Sequence, residues 1–315
     1  MADKISVFNS PNTTTETWTL QGAVVQWGTN NSAASAIPMV LSQIGISPKA
    51  DLPKFAPKQF PDLFKSYKQP ENLKKKVVFY PGCFVKAYAP QVGMDFVKLM
   101  NMAGYYVECP TTFSCCGTPL YTNGFEEDAR KNAAANLMEM AKWRKEGVPV
   151  MSLCPSCQLM FKEYPVYFPD LAETAGSTDM GDCMQFVIEC IERGELKLDK
   201  AAIKTPLDVI YHAPCHLRAQ GIGLPGFDIL RMLPGVRAVN ADAGCCGISG
   251  SYGFKKEKYD IAMAVGAKLF ETIKDSGIEL VATECGTCKV QIMHGTGKTV
   301  EHPLSILRQR LEGSM

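Results

Sequence analysis

Two triplets, Cys115-Cys116-Gly117 and Cys245-Cys246-Gly247, set thiols side by side along the chain. Neighbouring side chains on an extended strand point to opposite faces, so both sulfurs reach one metal assembly only where the backbone bends sharply. The glycine that follows permits such a bend, because it accepts positive φ and close approach. Each triplet stands in the same setting. Cys83 precedes the first by 31 residues, and Cys154-Pro-Ser-Cys157 follows it after 37; Cys215 precedes the second by 29, and Cys285-Gly-Thr-Cys288 follows it after 38. Ten of the thirteen cysteines fall into these two sets, which leaves Cys109, Cys183 and Cys190. Those three read as core residues, since a free cysteine packs like a small hydrophobe.

Tetrahedral zinc takes four ligands, and a cubane four-iron cluster takes one thiolate per iron. Each set has five. Either one cysteine in each is a spectator, or the site holds a cluster irregular enough to use an additional, bridging thiolate. A spectator would have to be kept twice at the same place, which favours the cluster. Zinc remains the rival metal, because any four of the five could close a structural site. A dithiol redox motif is less apt, since it needs neither the distant triplet nor the leading cysteine. His212 and His216 bracket Cys215 in YHAPCH, near enough to hydrogen-bond a cluster sulfur or to handle a proton. They are the candidate catalytic residues, whereas His294 and His302 read as ordinary core or surface histidines.

The elements that must carry these residues repeat as well. Val77–Tyr80 before Cys83 and Val209–Tyr211 before Cys215 are short β-rich runs. After each triplet comes a stretch of helical periodicity, Glu126–Glu146 and Lys256–Asp275, ending at Gly147 and Gly277. Apolar runs follow at Val148–Leu153 and Ile278–Thr283 and read as buried strands. Each CxxC then opens a helix, with Pro155 suited to the first turn, and free N–H groups at a helix start stabilise thiolates. Strands alternating with helices predict an α/β fold of two duplicated domains, near 76–200 and 206–315, each with a small, mostly parallel sheet.

Residues 1–75 differ in character, being rich in threonine, asparagine and proline and without ligand candidates. This arm is expected either to pack on the first repeat or to dock a partner through apolar residues such as Trp18, Leu20, Trp27 and Leu41. The formal charge is +1, from 33 basic and 32 acidic residues without a long basic run, which argues against a nucleic-acid partner. No run approaches the roughly 18 apolar residues of a membrane span, and no secretory leader is evident. A cytoplasmic location is expected, where many free cysteines point to metal or redox chemistry.

These segments resemble the CCG-domain iron–sulfur proteins, which carry a CCG pair between an upstream cysteine and a downstream CxxC, usually twice. YPGCFVKAYAPQVG, CCGTPLYTNGF, YHAPCH, CCGISGSYGFKKE and ECGTCK are similar to the C-subunit branch of anaerobic glycerol-3-phosphate dehydrogenases, and the family also includes the B-subunit of heterodisulfide reductase. The resemblance implies two non-cubane 4Fe-4S clusters, or one cluster plus zinc. It implies Cys83, Cys115, Cys116, Cys154 and Cys157 as ligands of one, and Cys215, Cys245, Cys246, Cys285 and Cys288 of the other. It further implies an electron-transfer subunit of an anaerobic oxidoreductase, working between an iron–sulfur or flavoprotein partner and a quinone. A disulfide-reducing subunit is the alternative, and a zinc-stabilised scaffold a second. Membrane contact would be peripheral, at the inner face and through partners. The CxxCxxCxxxCP run of a ferredoxin part is missing from the sequence, so the ordinary clusters are expected on another polypeptide or on a removed N-terminal part.

Overall fold

The computed structural model describes residues 42, 45–171, 178, 180–198 and 206–312. Trp18, Leu20, Trp27 and Leu41 lie outside the described residues. A helix α1 (Phe60–Ser66) leads into the first repeat: β1 (Lys75–Tyr80), α2 (Gly82–Ala87), α3 (Pro90–Met102), β2 (Tyr105–Glu108), α4 (Thr118–Tyr121), α5 (Glu126–Lys145), β3 (Val150–Ser152), α6 (Pro155–Tyr167), β4 (Gly181–Asp182) and α7 (Cys183–Glu192). The second repeat runs through β5 (Leu207–Tyr211), α8 (Cys215–Ala219), α9 (Pro225–Met232), β6 (Val236–Asn240), α10 (Tyr259–Asp275), β7 (Leu280–Ala282), α11 (Gly286–Thr296), β8 (Thr299–Glu301) and α12 (Pro303–Glu312). Among the described residues no helix is long and apolar enough to cross a membrane.

Each repeat folds its four strands into one parallel sheet, in the orders β2-β1-β3-β4 and β6-β5-β7-β8. The chain leaves β1 to one side and returns on the other, so the carboxyl ends of β1 and β3 border a crevice, the usual ligand position in such sheets. Alternation along β1 and β5 decides the two faces. Val77 and Phe79 turn one way with Val209 and Tyr211, into a single core built by both repeats. Leu99 and Met100 of α3, Met184 and Val187 of α7, Ile229 and Leu230 of α9, and Leu304, Leu307 and Leu311 of α12 complete it. Val78 and Tyr80 turn the other way, onto α5, α6 and the first set of cysteines, and Ile210 onto α10, α11 and the second set.

The long helices form where the apolar stripe and end charges agree. α5 opens on Glu126, Glu127 and Asp128 and closes on Lys142, Arg144 and Lys145, which complements the helix dipole. It stops at Gly147, with φ 67°. α10 buries Ala262, Gly266, Leu269, Phe270 and Ile273 on one face. It starts at Tyr259 rather than Lys256: the residues before it form a local turn, with Lys258 N and Tyr259 N donating to Lys255 O, while Lys256 N donates to Gly45 O at 2.9 Å. The central strands pair over three residues each, fewer than the apolar runs suggest.

The described part of the arm packs on both repeats, not on the first alone. Ser47 N donates to Phe254 O at 2.8 Å, Ile46 bridges Lys255, and Asp51 meets His294. Further along, Ala56 N donates to Ala87 O at 2.9 Å, Phe55 packs at a tilt against Tyr88, and Phe60 packs against Phe79.

Candidate metal centres

All ten cysteines of the two sets lie beyond the carboxyl ends of the first three strands of their sheets. Cys83 is the second residue of α2 after β1, Cys115 and Cys116 follow β2, and Cys154 is the N-cap of α6 after β3. Cys215 begins α8 after β5, Cys245 and Cys246 follow β6, and Cys285 caps α11 after β7. Every cysteine is a free thiol. In the first repeat the sulfurs contact one another as a string, Cys83 to Cys115 to Cys116 to Cys157 to Cys154. The second repeats it as Cys215 to Cys245 to Cys246 to Cys288 to Cys285, with Cys246 and Cys288 Sγ 3.2 Å apart. The order of contacts is the same in both, and no member of either set stands aside. Gly117 and Gly247 have φ of 92° and 84°, so the sharp bend read from the triplets is made.

The electrostatics repeat with the geometry. Contacts from Cys116 and Cys83 hold the Cys115 thiol well below its usual range, and those from Cys215 and Cys246 bring Cys245 down to about 2. Gly247 N donates to Cys245 Sγ at 3.3 Å. Contact with Cys157, and N–H groups of the first turn of α6, lower Cys154; Cys288 and the start of α11 lower Cys285 to about 6. The remaining six thiols are pushed up, first by a neighbouring sulfur and also by burial, although Cys157 and Cys288 oppose the rise at Cys116 and Cys246. A cage that keeps anionic sulfur among backbone donors suits a multi-iron cluster, whose thiolates carry excess negative charge.

The backbones that present the triplets are held differently. In the first repeat Ser114 N donates to Asn136 Oδ1 at 2.9 Å, Asn136 Nδ2 donates to Cys115 O, and Tyr164 OH donates to Cys116 O at 2.7 Å. In the second, close packing replaces these bonds. A Cβ on Gly247 would stand 2.0 Å from Ala262 O, and one on Gly266 would stand 2.6 Å from Cys246 O.

The two centres face each other through reciprocal contacts. Phe84, next to Cys83, fills the space above Gly286, next to Cys285; a Cβ there would stand 2.1 Å from the ring. His216, next to Cys215, bonds Ser156 Oγ through Nδ1 at 2.6 Å, inside the other CxxC. His212 is buried beside Cys246 and Cys288, and burial brings its ring down to about 4, so it is neutral. The structure thus places both candidate histidines at the second centre, with His216 reaching across to the first. His294 bonds Tyr259 OH and Asp51, a link between arm and second repeat, and His302 is buried before α12, accepting from Leu304 N at 3.1 Å. Cys183 and Cys190 sit in the core and Cys109 packs against it.

Two features escape a linear reading. Glu284 is buried beside Cys285, where both its oxygens accept from Tyr211 OH, at 2.8 and 2.9 Å, and burial raises its carboxyl to about 8. An open groove of about 420 Å³ exposes Cys215 and Cys245 and is lined by Arg218, Ala219 and Gly244; Arg218 also lines a smaller recess with His212, Asn240 and Asp242. Comparing repeats would have marked Arg218, since Lys86 stands at the same distance after Cys83.

The CCG cysteine-rich domain matches the chain twice, over residues 77–162 and 209–293. The C-subunit of anaerobic glycerol-3-phosphate dehydrogenase from Escherichia coli is 35% identical over 291 residues, covering 89% of this chain and 72% of that protein. The B-subunit of the CoM/CoB fumarate reductase from Methanothermobacter marburgensis is 29% identical over 227 residues, 70% of this chain and 42% of that protein. An uncharacterized iron–sulfur protein of Methanocaldococcus jannaschii is also 29% identical, over 226 residues, with the same coverage of both chains. With two matched domains that span both cysteine sets, the chain belongs to the CCG cysteine-rich domain family.

Proposed function

We propose that this chain is the iron–sulfur electron-transfer subunit of an oxidoreductase complex, passing electrons between a flavoprotein or ferredoxin-like partner and a quinone-type acceptor. Two non-cubane 4Fe-4S clusters, one per five-cysteine set, would supply the one-electron chemistry. The observation that carries this reading is the identical five-sulfur string in each repeat, with the two centres in mutual contact through Phe84–Gly286 and His216–Ser156. In each set the leading cysteine is exposed, while the CxxC lies at a helix start whose N–H groups temper the charge. The groove over Cys215 and Cys245 is where an acceptor approaches, with Arg218 placed to hold a carbonyl or anionic oxygen. The dehydrogenase and fumarate reductase relatives are named as subunits, which supports a partner polypeptide here as well.

A second reading, a disulfide-reducing subunit, draws on the same facing arrangement, since a disulfide split between two centres needs both within reach. Anaerobically prepared protein should contain about eight irons and eight sulfides per chain. Once reduced, it should pass electrons to a menaquinone analogue and leave small disulfides intact. Rapid disulfide turnover without quinone reduction favours the second reading; stoichiometric zinc without visible absorbance ends both.

A further inference from the structure

A ring nitrogen of His212 and the sulfurs of Cys246 and Cys288 lie within 4.8 Å of one another, and all three side chains are buried. His212 is 3% exposed, and its Nε2 has no hydrogen-bond partner. Leaving such a group unpaired costs about 1–3 kcal/mol, so the position calls for a partner. Sulfur at about 2.3 Å and nitrogen at about 2.0 Å from one tetrahedral metal stand roughly 3.5–3.8 Å apart. The three donors need only small side-chain adjustments to meet that spacing.

The backbone fixes the ring there. His212 N donates to Ala282 O at 2.9 Å, which prolongs the pairing of β5 with β7 and keeps the imidazole on the face of the sheet that carries Ile210. Tyr80 holds the matching place in the first repeat, three residues before the leading cysteine. Its hydroxyl is already used, donating to Ser114 O at 2.9 Å. One repeat therefore surrounds its site with sulfur alone, and the other adds a buried nitrogen without a partner.

We propose that His212 is a nitrogen ligand of the metal held by Cys246 and Cys288, so that the second centre is a mixed nitrogen and sulfur site and the first is all sulfur. The assignment rests on the reading that both sets hold metal. A neutral imidazole raises the potential of an iron–sulfur centre relative to thiolate. Electrons then run from the first centre to the second, where the groove opens.

The test uses the wild-type protein, prepared anaerobically with and without 15N-histidine, and reads nitrogen hyperfine coupling on its paramagnetic centre by pulsed EPR. The expected result is a coupling that changes with the isotope, disappears in His212→Phe and persists in His216→Ala. In His212→Cys, which offers sulfur instead, the higher of the two midpoint potentials should fall. Full iron content without histidine coupling, or a coupling that survives His212→Phe, overturns the assignment and leaves the electron-transfer reading standing. Zinc in the second site with nitrogen in its X-ray absorption shell supports the ligand and removes the cluster; zinc in an all-sulfur shell overturns the ligand too.

Discussion

The two repeats share a strand order and a sulfur order, and they differ in nearly everything that surrounds the sulfurs. The first holds its triplet with polar bonds from Asn136 and Tyr164 and has the helix after its leading cysteine joined to arm residues Phe55 and Ala56. The second holds its triplet by close packing on α10, adds His212, and leaves Cys215 and Cys245 open to a groove. Asn136 and Leu269, both fully buried, show the exchange at one position: each lies seven residues beyond the alanine that meets the triplet's glycine. The lesson is that the sheet places the donors, while the helix behind the triplet and the residue at the strand end decide what each centre does. The leading cysteine is exposed in both, so what sets the second centre apart is the groove beside it and not exposure as such.

Removing a sulfur from either string tests the comparison most severely. Cys116→Ser and Cys246→Ser should each cost about half of the iron, near four atoms per chain, and each should stop transfer to the quinone analogue, as measured by iron analysis and stopped-flow reduction. Loss of all iron from either variant would mean that the centres do not assemble independently. The glycines come next. Gly247→Ala should destabilise by about 3 kcal/mol or more, because its Cβ has no room beside Ala262 O. Gly117→Ala has only its positive φ against it, with the nearest atoms of Ala129 at 3.4 Å, and should cost about 1–2 kcal/mol. Equal losses on thermal melting would deny the contrast between packed and bonded triplets.

Smaller effects separate the surfaces. Arg218→Ala should raise the KM for the quinone analogue about tenfold, the loss of one hydrogen bond from a charged donor, while Lys86→Ala leaves it unchanged. The smallest effect concerns the residues that precede the last helix of each repeat, Asp182 and His302. Burial brings His302 down to about 3, below its ordinary value, so from roughly pH 6.5 downward the unfolded chain binds a proton that the native protein refuses. Stability from this group is full above that pH and declines as the pH falls. His302→Asn, which keeps an acceptor for Leu304 N, should recover roughly 1 kcal/mol at pH 5.5 relative to pH 7.5, read as a smaller drop in melting temperature.

Much of this was legible in the chain because ligands to one centre repeat at nearly fixed spacing. Cys83, the CCG pair and the CxxC announce a site twice, and the glycines Gly147 and Gly277 end the helices where periodicity places them. What stayed hidden depends on contacts between distant segments. Nothing local to Phe84 or Gly286 says that one fills the space of the other, and Glu284 looks like a surface acid until Tyr211 is seen against it. The described part of the arm shows the same limit: packing on the first repeat is expected and Ala56 makes it, whereas nothing local to Ser47 announces its backbone hydrogen bond to the second repeat.

The common core behaves like the interface of a dimer whose two protomers have been joined end to end. Separate halves would have to meet by collision through the apolar faces of α3, α7, α9 and α12, and at low abundance they would drift apart. A covalent link through residues 199–205 replaces that encounter with an effective concentration on the order of millimolar. Dilution cannot then separate the two five-cysteine sets, and their one-to-one pairing holds at any level of expression.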